Sequence, residues 1–287
     1  MNRRVLVVSH TGRPQAVAAG EQLTAHLDHH GIGVLFEEDL ERDGESALIP
    51  SDVELAVVLG GDGTILRAAE LVRGTSVPIV GINLGHVGFL AELDVSEIED
   101  AVSKIADRAY DVEHRMTVDV TIHTPDGAVQ HAWAMNEATV EKDGRERMIE
   151  VSVGVDGRGL ESFGCDGVVM ATPTGSTAYA FSAGGPVVWP DVEALLLVPL
   201  SAHALFARPL VVGPNSVLEV EVLDRTGAAA TMWCDGRRTV PLPPASRIEV
   251  RRGETRVAIA RLRPGPFTAR LVRKFNLPVA GWRGEHA

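Results

Sequence analysis

Three short stretches of the chain carry residue types suited to phosphate and nucleotide chemistry. In the first, VVLGGDGTIL at 57–66, an apolar run ends in glycines and a helical pattern follows. Glycines let a ligand approach the bare backbone, and the first N–H groups of a helix can bind an anion. A tight strand-to-helix turn would use the same glycines. We expect the loop to hold phosphate groups through Gly60, Gly61, Gly63, Thr64 and Arg67.

Asp62 lies in the middle of this loop, where a carboxylate would repel a phosphate. Its presence is explained if it accepts the proton of a hydroxyl group that attacks phosphorus, as aspartates do in phosphoryl transfer. It could instead ligate Mg²⁺, which would also neutralise the repulsion. Both interpretations predict a phosphoryl-transfer enzyme, and we expect Asp62 to be its general base.

The second and third stretches are CDGVVMATPTGSTAYAFSAGGP at 165–186 and MNEATV at 135–140. Small polar residues beside Tyr179 favour a site where backbone amides and hydroxyl groups meet a polar ligand closely, although a flexible loop would also tolerate them. Asn136 and Glu137 are neighbours, and neighbours within a strand point to opposite faces of a sheet. A ligand shared by these two side chains therefore requires a strand end or a bulge.

Composition limits the classes of protein that the chain can represent. The 27 Lys and Arg against 39 Asp and Glu give a net charge of −12, which argues against a general nucleic-acid binder. The two cysteines cannot form a framework of disulfides, and the ten histidines show no metal-ligand spacing. No apolar run approaches the roughly 20 residues that span a bilayer. We expect a cytoplasmic chain that binds neither nucleic acid nor membranes.

The first third of the chain alternates strand and helix patterns. Apolar runs at 4–8, 55–60 and 77–83 predict buried strands, and Pro14 and Gly31 mark the ends of a helix between the first two. A further helix is predicted from residue 94 onward, with Ser96 and Glu99 as a capping box. This alternation predicts a doubly wound α/β domain with a mostly parallel sheet.

The pattern changes near residue 112, where short alternating runs separated by turn sequences such as PDG, KDG and DRTG begin. They predict an antiparallel β-rich domain. A helical pattern returns at 267–276, and its apolar stripe should cover the first domain. We therefore divide the chain into an α/β domain at 1–111, a β-rich domain at 112–262 and a C-terminal segment at 263–287 that packs back on the first domain.

Taken together, GGDGTIL, INLGHVGFLAEL, NEATV, DGVVMATPTGSTAYAFSAGGPVV and LVPLSAHALFARPLVV resemble the NAD kinase family, in this order and over most of the chain. The GGDG loop alone is also found in lipid kinases and phosphofructokinases. The resemblance implies phosphorylation of the 2′-hydroxyl of the adenosine ribose of NAD to give NADP, with Mg²⁺ or another divalent metal ion. It also implies an α/β domain followed by a β-sandwich-like domain with a C-terminal return, in a homodimer or homotetramer.

The resemblance also implies roles for individual residues. Asp62 matches the catalytic base, Asn136 and Glu137 match the pair that holds the ribose, and Phe89 matches an aromatic residue near the adenine. The remaining matches are an acidic ligand contact, small and aromatic residues that line the dinucleotide, and basic contacts, at Asp166, Thr174, Thr177, Ala178, Tyr179, Ser182, Arg147 and Arg237.

Three alternatives remain open at this level: a lipid kinase, a sugar-phosphate kinase and a non-catalytic dinucleotide sensor. The first needs an apolar landing surface, and the second leaves TPTGSTAYAFSAGG without a role. A sensor would have no need of Asp62. The sequence leaves open whether ATP, another triphosphate or polyphosphate is the donor, whether NADH is accepted, how the activity is regulated and which residues ligate Mg²⁺.

Overall fold

The chain divides into two units, Met1–His114 with Val257–Ala287, and Arg115–Arg256. A computed structural model describes residues 3–9, 12–43, 46–85, 88–144, 147–225, 227–263 and 265–279. The sequence patterns place the divisions at 111/112 and 262/263, a few residues from these bounds.

The described residues of the first unit form a seven-stranded sheet and four α-helices. The strands of the sheet are β1 (Arg4–Ser9), β2 (Gly33–Phe36), β5 (Val53–Leu59), β6 (Ile79–Asn83), β7 (Leu93–Asp94), β8 (Asp111–Arg115) and β21 (Val257–Arg261), and a separate hairpin joins β3 (Arg42–Asp43) to β4 (Ser46–Ala47). The sheet has the order β2-β1-β5-β6-β21-β8, with β7 beside β6, and β1, β2, β5, β6, β7 and β21 pair with one another in parallel.

The helices are α1 (Pro14–His29), α2 (Asp62–Val72), α3 (Ile98–Ala106) and α5 (Phe267–Phe275). Helices α1 and α3 pack on one face of the sheet, where their apolar residues join alternate residues of β1, β5 and β6. Helix α2 covers the opposite face. This is seen at Gly81 of β6, where a Cβ would contact Ile65 of α2. Helices on both faces explain why the strands are almost continuously apolar, and they confirm the predicted doubly wound domain.

The ends of two helices test the sequence signals for helix boundaries. Helix α1 begins at Pro14, as predicted, and Gly31 just beyond its end has a φ of 69°. The predicted capping box of Ser96 and Glu99 is wrong: the box is formed by Asp94 and Glu97, at the start of a 3₁₀ turn before α3. The segment DVSEIE contains the capping-box spacing twice, and the earlier pair forms the cap.

The second unit is an antiparallel β-sandwich. Its strands are β9 (Val118–His123), β10 (Val129–Ala134), β11 (Glu137–Lys142), β12 (Ile149–Val155), β13 (Arg158–Cys165), β14 (Gly167–Ala171), β15 (Leu195–Leu200), β16 (Leu210–Val212), β17 (Leu218–Val222), β18 (Ala230–Cys234), β19 (Arg238–Leu242) and β20 (Arg247–Arg252). One sheet has the order β10-β9-β20-β17-β12-β13 and the other β16-β15-β14-β11-β18-β19. Buried residues of both sheets form one apolar core, which confirms the predicted β-rich domain.

A short helix, α4 (Tyr179–Ser182), covers the outer face of the second sheet. Val169 and Ala171 of β14 pack against Ala180, whereas Val168 and Met170 point into the sandwich core. The alternation along β14 therefore places the predicted ligand-binding stretch on the outside of the sandwich.

The C-terminal helix α5 packs within the first unit, as the sequence predicts. Its Phe267 and Phe275 rings lie 6.2 and 5.6 Å from the ring of Phe89. Centroid distances of this size are typical of interacting aromatic pairs. In the described part of the chain, no helix is both long and apolar enough to cross a membrane.

Close packing at Gly81 supplies a test of the first unit. A Cβ at this position would lie 2.6 Å from Ile65 Cδ1 and 2.8 Å from Ala91 Cα, so Gly81→Ala forces α2 and the 88–91 loop away from β6. We expect the free energy of unfolding to fall by about 1–3 kcal/mol, the usual range for overpacking. Denaturant unfolding followed by circular dichroism measures this change. Gly265→Ala is the control, because its Cβ meets no described atom within 4 Å, and an equal loss in both variants would contradict the expectation.

Candidate active site

The glycine-rich loop joins β5 to α2 in the first unit. The N–H of Gly60 donates to the carbonyl of Ile82 on the neighbouring strand, at 2.9 Å. A Cβ on Gly60 would lie 2.5 Å from Thr64 Oγ1, so the first turn of α2 can approach the strand end only because residue 60 is a glycine. No described atom lies within 4 Å of a Cβ built on Gly61 or Gly63, which leaves the backbone of the loop open.

Asp62 is the first residue of α2, and two consecutive backbone N–H groups hold its carboxylate. Phe89 N–H donates to Oδ2 at 3.0 Å and Leu90 N–H donates to Oδ1 at 2.9 Å. A Cβ on Gly88 would overlap Oδ1, so only glycine permits this approach. Each carboxylate oxygen has a second lone pair, so the group can still accept a proton while its orientation is fixed.

Arg67 lies in the second turn of α2, and its guanidinium pairs with Glu37 at 2.6 Å. The Glu37 side chain is only 5% exposed. The predicted role of Arg67 as a phosphate contact therefore requires it to bind a ligand while it neutralises a buried carboxylate. Phe89, the predicted adenine contact, is buried against α5. Both roles stay predictions.

In the second unit, Asn136 and Glu137 lie at the beginning of β11, the strand end that a shared ligand requires. Both are buried, and within the described residues Asn136 Oδ1 and Glu137 Oε2 have no hydrogen-bond partner. A buried polar atom without a partner is costly, by about 1–3 kcal/mol. These two oxygens therefore mark a place where the hydroxyl or amide groups of a ligand would be bound.

A second buried carboxylate, Asp235, supports this strand end. It accepts hydrogen bonds from the N–H groups of Met135 at 2.9 Å and Asn136 at 2.7 Å. Arg238 pairs with it at 2.9 Å and also lies over the Trp133 ring, 4.4 Å from its centroid. Burial raises the pKa of Asp235, and these donors oppose the increase.

Burial also raises the pKa of Glu137, to about 8, and the nearby charge of Asp235 adds to the increase. The N–H of Tyr179 donates to Glu137 and partly opposes it. At neutral pH Glu137 therefore carries a proton and can donate a hydrogen bond to a ligand as well as accept one.

The TPTGS turn is bound tightly to the same strand end. Thr172 Oγ1 donates to the carbonyl of Met135 at 2.6 Å, and the N–H of Thr172 donates to the carbonyl of Asn136 at 2.8 Å. A Cβ on Gly175 would overlap the Asn136 carbonyl, so residue 175 must be a glycine. Among the hydroxyl groups expected to meet a ligand, those of Thr172 and Ser176 instead make internal hydrogen bonds.

Thr174, Thr177 and Ala178 follow in the same turn. Thr174 is buried, and Thr177 Oγ1 donates to its carbonyl at 3.2 Å. Ala178 joins a 3₁₀ turn to α4 through a hydrogen bond from its N–H to the Gly175 carbonyl at 2.9 Å. Thr177 and Ala178 are half-buried, whereas the residues before them in the turn are buried.

Three predicted contacts, Asp166, Tyr179 and Ser182, line one pocket of about 460 Å³ in the second unit. Lys142, which the sequence patterns did not single out, also lines it and pairs with Asp166 at 2.5 Å. The ion pair with Lys142 lowers the pKa of Asp166. Arg147 and Arg237, also predicted contacts, are exposed in loops and do not line this pocket.

Sequence reasoning missed three residues that shape these sites: Gly88, Lys142 and Asp235. Gly88 lies in the GHVGFL segment, and Asp235 lies in the second of two CDG sequences. The repeated CDG sequence is the local signal that points to Asp235. No local pattern distinguishes Lys142 from other lysines at strand ends.

The raised pKa of Glu137 predicts a pH dependence of stability. The folded chain keeps this proton up to pH of about 8, whereas the unfolded chain releases it near its ordinary pKa. The group therefore contributes stability that is complete below pH of about 4.5 and is lost as the pH rises to about 8. Glu137→Gln should flatten the fall in unfolding free energy over this window, measured by denaturant unfolding at several pH values.

Glu221 is an exposed glutamate of the same unit, and Glu221→Gln is the matched control. This variant should keep the wild-type pH dependence. Parallel curves for wild type and Glu137→Gln across the window would show that Glu137 is ionised in the folded chain and would contradict the prediction.

The chain is similar to known proteins along nearly its whole length. Residues 5–110 match the family ATP-NAD kinase N-terminal domain, and residues 135–262 match the ATP-NAD kinase C-terminal domain. The NAD kinase of Leifsonia xyli subsp. xyli is 55% identical over 98% of this chain and 97% of its own. NAD kinase 2 of Streptomyces coelicolor is 54% identical with the same coverage.

Two solved structures share the fold. The NAD kinase from Archaeoglobus fulgidus in complex with ATP has a TM-score of 0.74 at 28% identity, covering 95% of this chain and 98% of that one. The yeast NADH kinase complexed with NADH has a TM-score of 0.84 at 23% identity, covering 98% and 89%, and supports the fold alone. Because both of its domains match this family and its relatives are more than half identical along nearly the full length, the chain belongs to the NAD kinase family.

Proposed function

We propose that this chain transfers the terminal phosphoryl group of ATP to the 2′-hydroxyl of the adenosine ribose of NAD, giving NADP. The observation that carries the proposal is the carboxylate of Asp62, fixed by two backbone N–H groups beside an open glycine-rich loop, in a chain that is 55% identical to an NAD kinase along its whole length. The relatives named above carry the same activity in their names.

Asp62 acts in this proposal as the general base. As the ribose oxygen bonds to the γ-phosphorus, its proton passes to a free lone pair of the carboxylate, and the bond from the γ-phosphorus to the bridging oxygen breaks to release ADP. The N–H donors from Phe89 and Leu90 keep the acceptor oxygen in place while the proton moves. Positioning of this kind supplies much of the rate of phosphoryl transfer.

The open backbone of the glycine-rich loop is assigned to the donor phosphates. Gly61 and Gly63 have no described neighbour at their Cβ positions. The N–H groups of Thr64 and Ile65 donate to the Gly61 carbonyl, so the N–H groups of Asp62 and Gly63 are the ones at the beginning of α2 that have no helical partner. Thr64 can add a hydroxyl donor and Arg67 a positive charge. These contacts bind phosphate groups and do not recognise the base. The loop is therefore compatible with another nucleoside triphosphate or with polyphosphate as the donor.

The polar cluster of the second unit is assigned to NAD. The unpartnered oxygens of Asn136 and Glu137 would bind ribose hydroxyl groups, and the proton on Glu137 makes it a donor at neutral pH. The pocket lined by Asp166, Tyr179 and Ser182 would hold another part of the dinucleotide, with the Tyr179 ring available for stacking. Thr174, Thr177, Ala178 and Phe89 keep their predicted roles as lining residues.

A Mg²⁺ ion belongs to this proposal, to neutralise the charge that develops on the phosphate oxygens. In the described part of the chain, no group of three or more His, Cys, Asp or Glu side chains could hold a metal ion. The residues fit a Mg²⁺ ion that takes most of its ligands from the donor phosphates and from water, as is usual in kinases. Asp62 is the carboxylate within the proposed phosphate loop.

A homodimer or homotetramer, and a place in the cytoplasm, complete the proposal on the family resemblance. Multi-angle light scattering of the purified protein would measure its mass in solution. A monomer at assay concentrations with full activity would contradict the proposed assembly.

The activity is tested with purified protein, NAD, Mg²⁺ and one donor at a time, with NADP measured by a specific dehydrogenase. We expect NADP to form when ATP is the donor. The same assay with GTP or polyphosphate in place of ATP, or with NADH in place of NAD, defines the substrate specificity. A lipid or sugar substrate mixture serves as the comparison for the other kinase classes. If no donor gives NADP while NAD still binds, the chain is a dinucleotide sensor.

Asp62→Asn tests the general base. We expect turnover to fall by about 10²–10⁴-fold, the range for loss of a general base, while calorimetric titration still detects NAD binding. An asparagine amide can accept from only one of the two N–H donors, so part of the loss reflects its orientation. Asp28→Asn, an exposed aspartate of α1, is the control. Near-normal turnover of Asp62→Asn would rule out Asp62 as the base.

A further inference from the structure

We propose that Arg261 and the aromatic face of α5 are positioning elements for the Asp62 carboxylate. They hold residues 89 and 90, whose N–H groups fix Asp62. None of these positioning residues touches Asp62 directly, so they act through the loop. The inference rests on the proposed role of Asp62 as base, and the experiment below separates the two.

Arg261 holds residue 90 from the side opposite to Asp62. Its Nη1 donates to the Leu90 carbonyl at 3.3 Å, and the N–H of the same residue donates to Asp62 Oδ1 at 2.9 Å. Both backbone polar groups of Leu90 are thus engaged, one by the arginine and one by the carboxylate. A shift of the Leu90 carbonyl therefore moves the N–H group that orients Asp62.

The position of Arg261 is itself well determined. It ends β21, which pairs with β6 through Ile259 and Ile79, and its side chain is 4% exposed. Its Nε donates to Glu113 Oε2 at 3.1 Å. A guanidinium fixed by a sheet strand and by a carboxylate offers a rigid donor to the loop.

Helix α5 holds residue 89 in the same way. The Phe89 side chain is 7% exposed, and its ring meets Phe267 near the beginning of α5 and Phe275 at its end. Two ring contacts from one helix restrict the rotation and translation of the Phe89 backbone. Its N–H group, which donates to Asp62 Oδ2, is restricted with it.

A purely structural role explains Arg261 poorly. Burying a charged side chain carries a desolvation penalty, and an apolar side chain of similar volume is often as stable or more stable. Within the described residues, Arg261 Nη2 is buried without a hydrogen-bond partner, which adds to that penalty. An apolar replacement would lose the ion pair with Glu113 and the contact to Leu90, and the second of these leads directly to Asp62.

The test is a double-mutant cycle between Arg261→Met and Asp62→Asn, with turnover and KM for NAD measured for each protein. In the wild-type background, Arg261→Met should lower kcat by about 10- to 100-fold, as for a small misplacement of a catalytic group, with KM for NAD close to wild type. In the Asp62→Asn background it should cause no further loss, because residues that act as one unit are not additive.

Arg273→Met is the matched control, since Arg273 lies on α5 and pairs with Asp94 at the surface at 2.9 Å. It should leave kcat unchanged. Phe275→Leu is a second, milder variant, which removes a ring contact to Phe89 without removing a charge. Phe275→Leu should lower kcat by less than Arg261→Met does, and this loss should also be absent in the Asp62→Asn background. It keeps the test decisive if thermal melts show that Arg261→Met is unfolded.

Two outcomes would overturn the inference: equal losses of kcat from Arg261→Met in both backgrounds, or wild-type kcat in both Arg261→Met and Phe275→Leu. The proposed role of Asp62 as the base fails by a different result, namely near-normal turnover of Asp62→Asn alone, and the proposed activity fails if the wild-type protein forms no NADP. These failures are therefore distinguishable within one set of proteins.

Discussion

The hydrogen bonds from two consecutive backbone N–H groups to the Asp62 carboxylate are the constraint on which the first unit depends. Their donors, Phe89 and Leu90, come 27 and 28 residues later in the chain. They meet Asp62 because β5 and β6 are parallel neighbours, so that the segments leaving their carboxyl ends lie at one edge of the sheet. Glycines at positions 81 and 88 remove the side chains that would keep this loop away from the sheet and from the carboxylate.

The second unit holds its buried carboxyl groups by a related arrangement. Asp235 accepts hydrogen bonds from the N–H groups of Met135 and Asn136 and pairs with Arg238. Glu137 accepts a hydrogen bond from the N–H of Tyr179, and its pKa is raised to about 8. The unit therefore keeps Asp235 paired and Glu137 neutral at pH 7, which limits the penalty of burying two acids close together. The apolar core shared by the two sheets supplies the stability that allows this polar strand end.

The sequence predicted the features that depend on local patterns. Alternating strands and helices gave the doubly wound sheet, short alternating runs gave the sandwich, and the apolar stripe at 267–276 gave the return of the last helix. What it could not predict are contacts between distant positions. Nothing near residue 89 indicates that its N–H group binds Asp62, and the run at 257–261 gives no sign that β21 belongs to the parallel sheet.

The predicted site residues show the same limit. The order of GGDG, NE and TPTGSTAY identified the family, because those motifs are local. The engagement of Arg67 by Glu37 and of Asp166 by Lys142 was not predictable, since each partner is an ordinary charged residue many positions away. Backbone donors are harder still to anticipate, because every residue except proline has one and no side-chain pattern marks those in use.

The choice of partner separates the acids of this chain by the chemistry they can perform. The ion pair with Lys142 lowers the pKa of Asp166, which favours its charged form and opposes the acceptance of a proton. Within the described part of the chain, Asp62 is oriented by neutral N–H groups and forms no ion pair. Each of its oxygens keeps a lone pair that no cation occupies. A carboxylate held in this way is fixed in direction and keeps a free lone pair on each oxygen, which supports the proposal that Asp62 is the base and that Asp166 contacts the ligand.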